Sequence, residues 1–222
     1  MAQYGIRPGS DYGRYRTVSE AVAWAPIHSK RKYVIYVKRV IYHKNMEVRK
    51  KKTNIMLVGQ GMGDTVISGS RSFSGFWTTF RSATFAVAGA GFIARDLTIR
   101  NTAGPAAHQA VALRVDSDRS AFFRVAVEGH QDTLYAHSLR QFYRDCRVSG
   151  TVDFIFGGLV VCVGRTCSES NDHVSGTRCL FVSADFSTVS VTFHVGLVVS
   201  AGNLGWSVFG NYIEVSLVLL VQ

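Results

Sequence analysis

The sequence predicts an all-β chain coiled as a parallel β-helix, and two observations carry that expectation. Outside residues 17–24, helical periodicity almost vanishes from the 222-residue chain, which runs instead through short β-rich stretches separated by Gly, Asn, Asp and Ser. Such strands alone admit a sandwich, a barrel or a solenoid. An internal repeat favours the solenoid: Val127-x-Gly129-x-x-Asp132-x-Leu134-Tyr135 recurs as Val148-x-Gly150-x-x-Asp153-x-Ile155-Phe156, with five positions matching in kind at one offset of 21 residues. A β-rich period of this size marks stacked coils, in which equivalent positions lie above each other, roughly 4.8 Å apart.

In chain order, TVSEAVAW (17–24) reads as one short helix, capped by Thr17 or Ser19, with Val18, Ala21 and Val22 on one face. The strand-like runs follow: KYVIYVKRVIY, NIMLVG, TVISGS, TFAVAG, GFIARDLTI, AVALRV and SAFFRVAVEG. Ile99-x-Asn101 opens a unit similar to the repeat, interrupted by the inserted TAGPAAHQ. GQGMGD (59–64) brushes against a phosphate-binding loop, but neither Gly-Lys-Ser/Thr nor a helical pattern follows, so it reads as a turn between strands.

Charge divides the chain. Residues 1–165 hold 24 Lys and Arg against 11 Asp and Glu, whereas residues 166–222 hold 1 against 4. A basic body suits an acidic partner: nucleic acid, an anionic membrane or a polyanionic polysaccharide. All seven Lys fall within residues 30–52, and Lys50-Lys51-Lys52 sits between strand-like runs, where lysine discourages edge pairing. The stacking aromatics and RNA-reading motifs of nucleic-acid modules are missing around this cluster, so no nucleic-acid partner is expected. The run Val215–Val221 is too short to span a bilayer, and no membrane partner is expected either. The opening residues, MAQYGIRPGSDYGRY, lack the apolar centre of a signal peptide.

Cys146, Cys162, Cys167 and Cys179 show neither CxxC nor His at zinc-site spacing, so no metal is expected. Cys146 and Cys167 stand one 21-residue period apart, which would put them in adjacent coils within disulfide reach. Composition also splits the chain into a β-helix domain over 1–165 and a tail over 166–222. In that tail Val, Ser, Leu and Phe supply 30 of 57 residues, and no Gly/Asn/Asp turn period is visible past Val174. The tail reads either as sequence from outside the coil repeat, as a retained intron or shifted frame would supply, or as a divergent set of final coils.

The repeat also carries chemistry. It sets Asp132 over Asp153, so that two carboxyls project the same way from neighbouring coils, roughly 5 Å apart. Like charges that close resist double ionisation, so one pKa is expected to rise while the other stays low. Such a pair supplies a protonated acid and a carboxylate, the partners of general acid plus nucleophile or base. Two solvent-facing turn aspartates are the alternative. Gln131 and the loop residue Gln109 place amide donors near the pair, as an oxyanion requires. Tyr135 and Phe156 are repeat-equivalent and fit either an aromatic floor for sugar rings or the core.

GHQDTLYAHSLRQFYRDC and GTVDFIFG together resemble the two signature blocks of plant-type pectin methylesterases. KYVIYVKRVIYHKNMEV, NIMLVGQGMGDTVISGS, TTFRSATFAVAGAGFIARDLTIRNTAGP and HQAVALRV extend the resemblance in the family's order, from about Asp11 to about Val161. It implies a right-handed parallel β-helix and a secreted, monomeric cell-wall esterase that needs no cofactor or metal. The expected substrate is methyl-esterified homogalacturonan, hydrolysed to pectate and methanol. By the same resemblance Asp153 would be the nucleophile and Asp132 the acid and then the base. Gln109 and Gln131 would hold the oxyanion, and Thr79 and Gln109 would contact the galacturonate chain, with Tyr135 and Phe156 beside it. His130 stands where the family usually has Tyr. After DFIFG, Gly158-Leu159 replace the family's Asn and Ala-rich coil, and its Gly-Arg-Pro-Trp block is missing; Arg178 and Trp206 lie in unrelated contexts. A non-catalytic β-helix that binds acidic pectin is the alternative reading.

Overall fold

A computed structural model describes residues 15–157 together with three later strands, 160–163, 189–193 and 197–200. The described chain opens on helix α1 (Val18–Trp24), whose N-cap is Thr17: its hydroxyl accepts from the Glu20 amide at 3.1 Å. Val18, Ala21 and Val22 are buried against the first coil, as the sequence pattern requires. Lys52 closes the other end, its ammonium donating to the carbonyls of Ala23 and Ala25. A cation there meets the negative end of the helix. One member of the lysine cluster therefore ties the helix to the solenoid.

The strands wind as stacked coils with three faces. β1 (Tyr33–Tyr36), β2 (Ile41–His43) and β3 (Met46–Val48) make the first coil. β4 (Ile55–Val58), β5 (Val66–Gly69) and β6 (Phe85–Val87) make the second. In the next two coils a single long strand, β7 (Ile93–Asn101) or β9 (Ser120–Glu128), supplies two faces, followed by β8 (Leu113–Val115) or β10 (Leu134–Ala136). β11 (Gln141–Arg144), β12 (Cys146–Gly150) and β13 (Ile155–Phe156) form the fifth. All pairing between these coils is parallel, which confirms the solenoid.

Equivalent side chains stack through the core. Ile35, Leu57, Ala94, Phe122 and Tyr143 are successive register partners and all buried. The last two rings stack at 4.8 Å. Ile67, Ile99, Val127 and Val148 form a second buried column. Each added coil thus covers the apolar ladder of the one before it, which is how a solenoid builds a core from short strands.

At the far end, the strands 189–193 and 197–200 pair antiparallel with β12 and β11, and 160–163 pairs antiparallel with 197–200. Cys146 is a buried thiol in β12, pushed up to about 12 chiefly by desolvation. The expected Cys146–Cys167 link involves a residue outside the described ones.

Candidate active site

The site grows from the corner that joins β12 to β13 and its counterpart between β9 and β10. Glycine opens each corner. A side chain at Gly150 would stand 2.4 Å from Thr133 Oγ1 and 2.6 Å from the His130 carbonyl, so the corner closes only around glycine. Backbone bonds then stack one corner on the other: Thr151 N donates to His130 O at 2.9 Å, and Asp132 N to Val152 O at 3.1 Å. Beyond them Leu134 and Tyr135 pair with Ile155 and Phe156. Asp132 and Asp153 are therefore brought together in register.

Both aspartates adopt left-handed backbone conformations, with φ of 64° and 49°. Aspartate tolerates this region better than most residues, yet such positions collect where geometry serves a site. Their surroundings differ. Asp132 is 7 % exposed, whereas Asp153 faces solvent. Burial first, and the neighbouring charge of Asp153 second, push the Asp132 carboxyl up to about 6. The expectation of one raised carboxyl is met, and the structure identifies it as Asp132.

Tyr135 and Phe156 stack at 4.3 Å with 14° between planes, half-buried over Ala83, Ala86 and Val111. His137 meets the Tyr135 ring edge-on at 5.0 Å and Phe80 at 5.7 Å. Gln131 and Gln109 are linked through the backbone, since Ala110 N donates to Gln131 O at 3.2 Å. Both are half-buried, and neither carboxamide bonds within the described residues. Thr79 opens the short helix α2 (Thr79–Ser82), which Thr78 caps and the Ser82 hydroxyl pins through the Thr79 carbonyl.

The outward-facing column continues past the two aromatic rings into the earlier coils with non-aromatic residues. Arg114 pairs in register with Tyr135, and Ala86 and Glu47 extend the same column. A signal for Arg114 was present, because it lies one more 21-residue period before Tyr135. Trp77, Phe80 and Arg71 belong to the excursion between β5 and β6, which has no counterpart in the repeat.

The described residues thus define a parallel β-helix with a paired-carboxyl site beside an aromatic column on its outer surface. Comparison with known proteins names the family: the Pectinesterase profile matches residues 8–203, and the chain belongs to the pectinesterase family. It is 66 % identical over 145 residues to a putative pectinesterase/pectinesterase inhibitor of Arabidopsis thaliana, covering 65 % of this chain and 27 % of the relative. With pectinesterase 2.1 of Solanum lycopersicum it shares 58 % over 149 residues, 67 % of this chain and 27 % of that one. Among solved structures it resembles pectin methylesterase from carrot at a TM-score of 0.63 and 56 % identity, over 65 % of this chain and 46 % of that one. For the pectin methylesterase PemA of Erwinia chrysanthemi the TM-score is 0.61 at 34 % identity, over 68 % of this chain and 49 % of the other. The chain spans little more than a quarter of the length of its Arabidopsis and tomato relatives.

Proposed function

We propose that this chain carries the carboxyl pair of a pectin methylesterase, a hydrolase that removes methyl groups from cell-wall homogalacturonan. The observation that supports it most is the division between the aspartates: Asp132 buried and raised to about 6, Asp153 exposed beside it. In this reading an Asp153 carboxylate oxygen bonds to the methyl-ester carbonyl carbon. The resulting oxyanion is held by the carboxamides of Gln109 and Gln131. As the tetrahedral centre collapses, the C–O bond to methoxide breaks and Asp132 gives up its proton, releasing methanol and leaving an anhydride on Asp153. Asp132, now a carboxylate, takes a proton from water as that water attacks the anhydride. The C–O bond between the acyl carbon and Asp153 breaks, restoring the Asp153 carboxylate. The galacturonic acid leaves and gives its proton to solvent, and Asp132 is again protonated for the next turnover.

Positioning would fall to the stacked Tyr135 and Phe156 and to Thr79 at the start of α2. The solved relatives include a pectin methylesterase in complex with a hexasaccharide, at 34 % identity to this chain. The basic body suits a polyanionic polymer, and the plant relatives support action in the cell wall after secretion.

The test is methanol release from methyl-esterified pectin. The wild-type chain should release it, Asp153→Ala should release none, and Asp132→Asn should lose most of the rate. Gln109→Ala should cost about 10²-fold, as loss of a single oxyanion donor does. Near-normal turnover in Asp153→Ala would refute the nucleophile assignment, and binding of pectin without methanol release by the wild type would favour the non-catalytic reading.

A further inference from the structure

Two segments that stand outside the coil repeat meet beside the carboxyl pair, and one buried side chain bonds to both. The excursion between β5 and β6 carries Thr79 and borders a cleft of about 440 Å³ over β3, β6 and β8. In that cleft Arg71 lies 3.9 Å over the Trp77 ring and Arg114 3.4 Å from the Phe80 ring. The inserted TAGPAAHQ between β7 and β8 ends on Gln109. The two segments are joined directly, since Phe73 N donates to the Gln109 carbonyl at 2.8 Å. Asn101, the last residue of β7, is 3 % exposed. Its Nδ2 donates to the Arg71 carbonyl at 2.9 Å and to the Val111 carbonyl at 3.0 Å, and its Oδ1 accepts from the Ala103 amide at 3.0 Å. Asn101 therefore grips the chain two residues before Phe73 and two residues after Gln109. A buried hydroxyl makes a second link between the segments: Ser82 Oγ accepts from Val111 N at 3.0 Å and donates to the Thr79 carbonyl at 2.8 Å.

We propose that Asn101 is a positioning residue for the esterase chemistry: by clamping the two segments it fixes the backbone of Gln109, and so the carboxamide that meets the oxyanion. The proposal rests on the pectin methylesterase reading and adds a residue to it. An amide donor stabilises a developing oxyanion only when it is held in place before the charge appears. Gln109 lies outside any strand, and the bonds that locate its backbone run to Phe73 and, through Ala110, to Gln131. Phe73 itself belongs to the excursion, so its amide is only as steady as the neighbouring Arg71 carbonyl that Asn101 holds. A carboxamide offers two N–H donors and an acceptor oxygen, and Asn101 uses all three. At this burial water does not stand in for a lost donor. The Val111 carbonyl also accepts from Thr84 N at 3.0 Å, so it keeps a partner without Asn101, and the Arg71 side is the one that opens.

The test is steady-state methanol release from methyl-esterified pectin by the full chain, with amide hydrogen exchange measured on the same proteins. Asn101→Ala should lower kcat about tenfold and change KM by less than about twofold, because the oxyanion exists only in the transition state. That loss stays below the roughly 10²-fold expected when the donor itself is removed. In a Gln109→Ala background the same substitution should cost no more than about twofold, since the group through which Asn101 acts is gone. Asn101→Asp keeps the size and the acceptor but turns oxygen toward two carbonyls, so its kcat should be no higher than that of Asn101→Ala. A wild-type kcat in Asn101→Ala, or a loss that multiplies in full into Gln109→Ala, would overturn the assignment. Failure of both variants to fold would also overturn it, by making Asn101 a residue of the fold alone. Exchange reads the clamp without reference to activity: the Phe73 amide should exchange about tenfold faster in Asn101→Ala while Ile99 in β7 is unchanged. No methanol from the wild type with faster Phe73 exchange in the variant overturns the esterase reading and keeps the clamp. Methanol with unchanged Phe73 exchange overturns the clamp alone.

Discussion

The outer faces of the solenoid hold their arginines in two different ways. On the face formed by the first halves of β7 and β9 with β11, Arg95 and Arg144 flank the Phe123 ring as register partners in adjacent coils. Asp96 accepts from both Arg95 and Arg124, and on the neighbouring face Glu128 accepts from Arg100 at 2.7 Å and Arg147 at 2.6 Å. On the cleft face, Arg71 and Arg81 have no such acid among the described residues, and buried Arg114 meets Glu47 and Asp116 at 3.6 and 4.0 Å. Net charge summed over a sequence therefore says little about where a polyanion would be attracted. Pairing decides it: one surface is largely neutralised by its own ladders, while the other leaves cations beside aromatic rings.

The largest effect is expected at the corner that joins the paired faces to the cleft face. In Gly150→Ala the added carbon would meet Thr133 Oγ1 at 2.4 Å and Phe154 Cβ at 2.5 Å, neither a flexible end. Overpacking of this kind should cost about 3 kcal/mol, read as a lowered denaturation midpoint, and should also reduce turnover by shifting Asp153. A loss well under 1 kcal/mol would show that the corner relaxes and that the register of the two aspartates is less strictly set than its backbone bonds suggest.

A smaller effect should follow from opening the paired face. Asp96→Asn keeps a side chain that tolerates the φ of 57° there and removes only the charge. Stability should fall by about 1 kcal/mol, with turnover unchanged. The pH dependence carries a definite sign. The hydrogen bond from Arg124, ahead of an opposing burial penalty and the bond from Arg95, holds Asp96 below its ordinary 3.8. The contribution is therefore present above about pH 4 and is lost as pH falls through the depressed folded value. Denaturation midpoints of wild type and variant should converge toward low pH; parallel curves would mean that the ladder stabilises nothing.

The parts of this architecture differ in how far they could be read ahead. The stacked aspartates and the Tyr135–Phe156 pair were legible because each pair lies on one 21-residue offset with glycine at the same place. GFIARDLTI reads as a single strand, yet β7 turns from one face to the next at Asp96, and β9 does the same at Arg124. Those corners use left-handed Asp and Arg instead of Gly or Pro, so no punctuation marks them. The cleft was hidden for another reason. Arg71, Trp77 and Phe80 come from the excursion between β5 and β6, and only the fold brings them over Arg114.

The finest comparison is between the two aspartates themselves. Burial is the larger cause of the raised Asp132 carboxyl and the charge of Asp153 the smaller. Asp153→Asn removes the second cause and leaves the first, and asparagine accepts the φ of 49° at that corner. The Asp132 midpoint, followed by carboxyl-carbon NMR, should drop below about 6 and remain above the ordinary 3.8. Linkage gives an independent reading with the sign opposite to that of Asp96. A carboxyl that holds its proton longer when folded binds more protons in the native state between pH 3.8 and about 6, so it makes stability decline as pH rises through that window. The decline should be shallower in Asp153→Asn and absent in Asp132→Asn. A midpoint that returned to 3.8 in Asp153→Asn would make the neighbouring charge the whole cause, and one that did not move would mean the carboxyls are uncoupled and that the exposed member of the pair exerts no hold on the buried one.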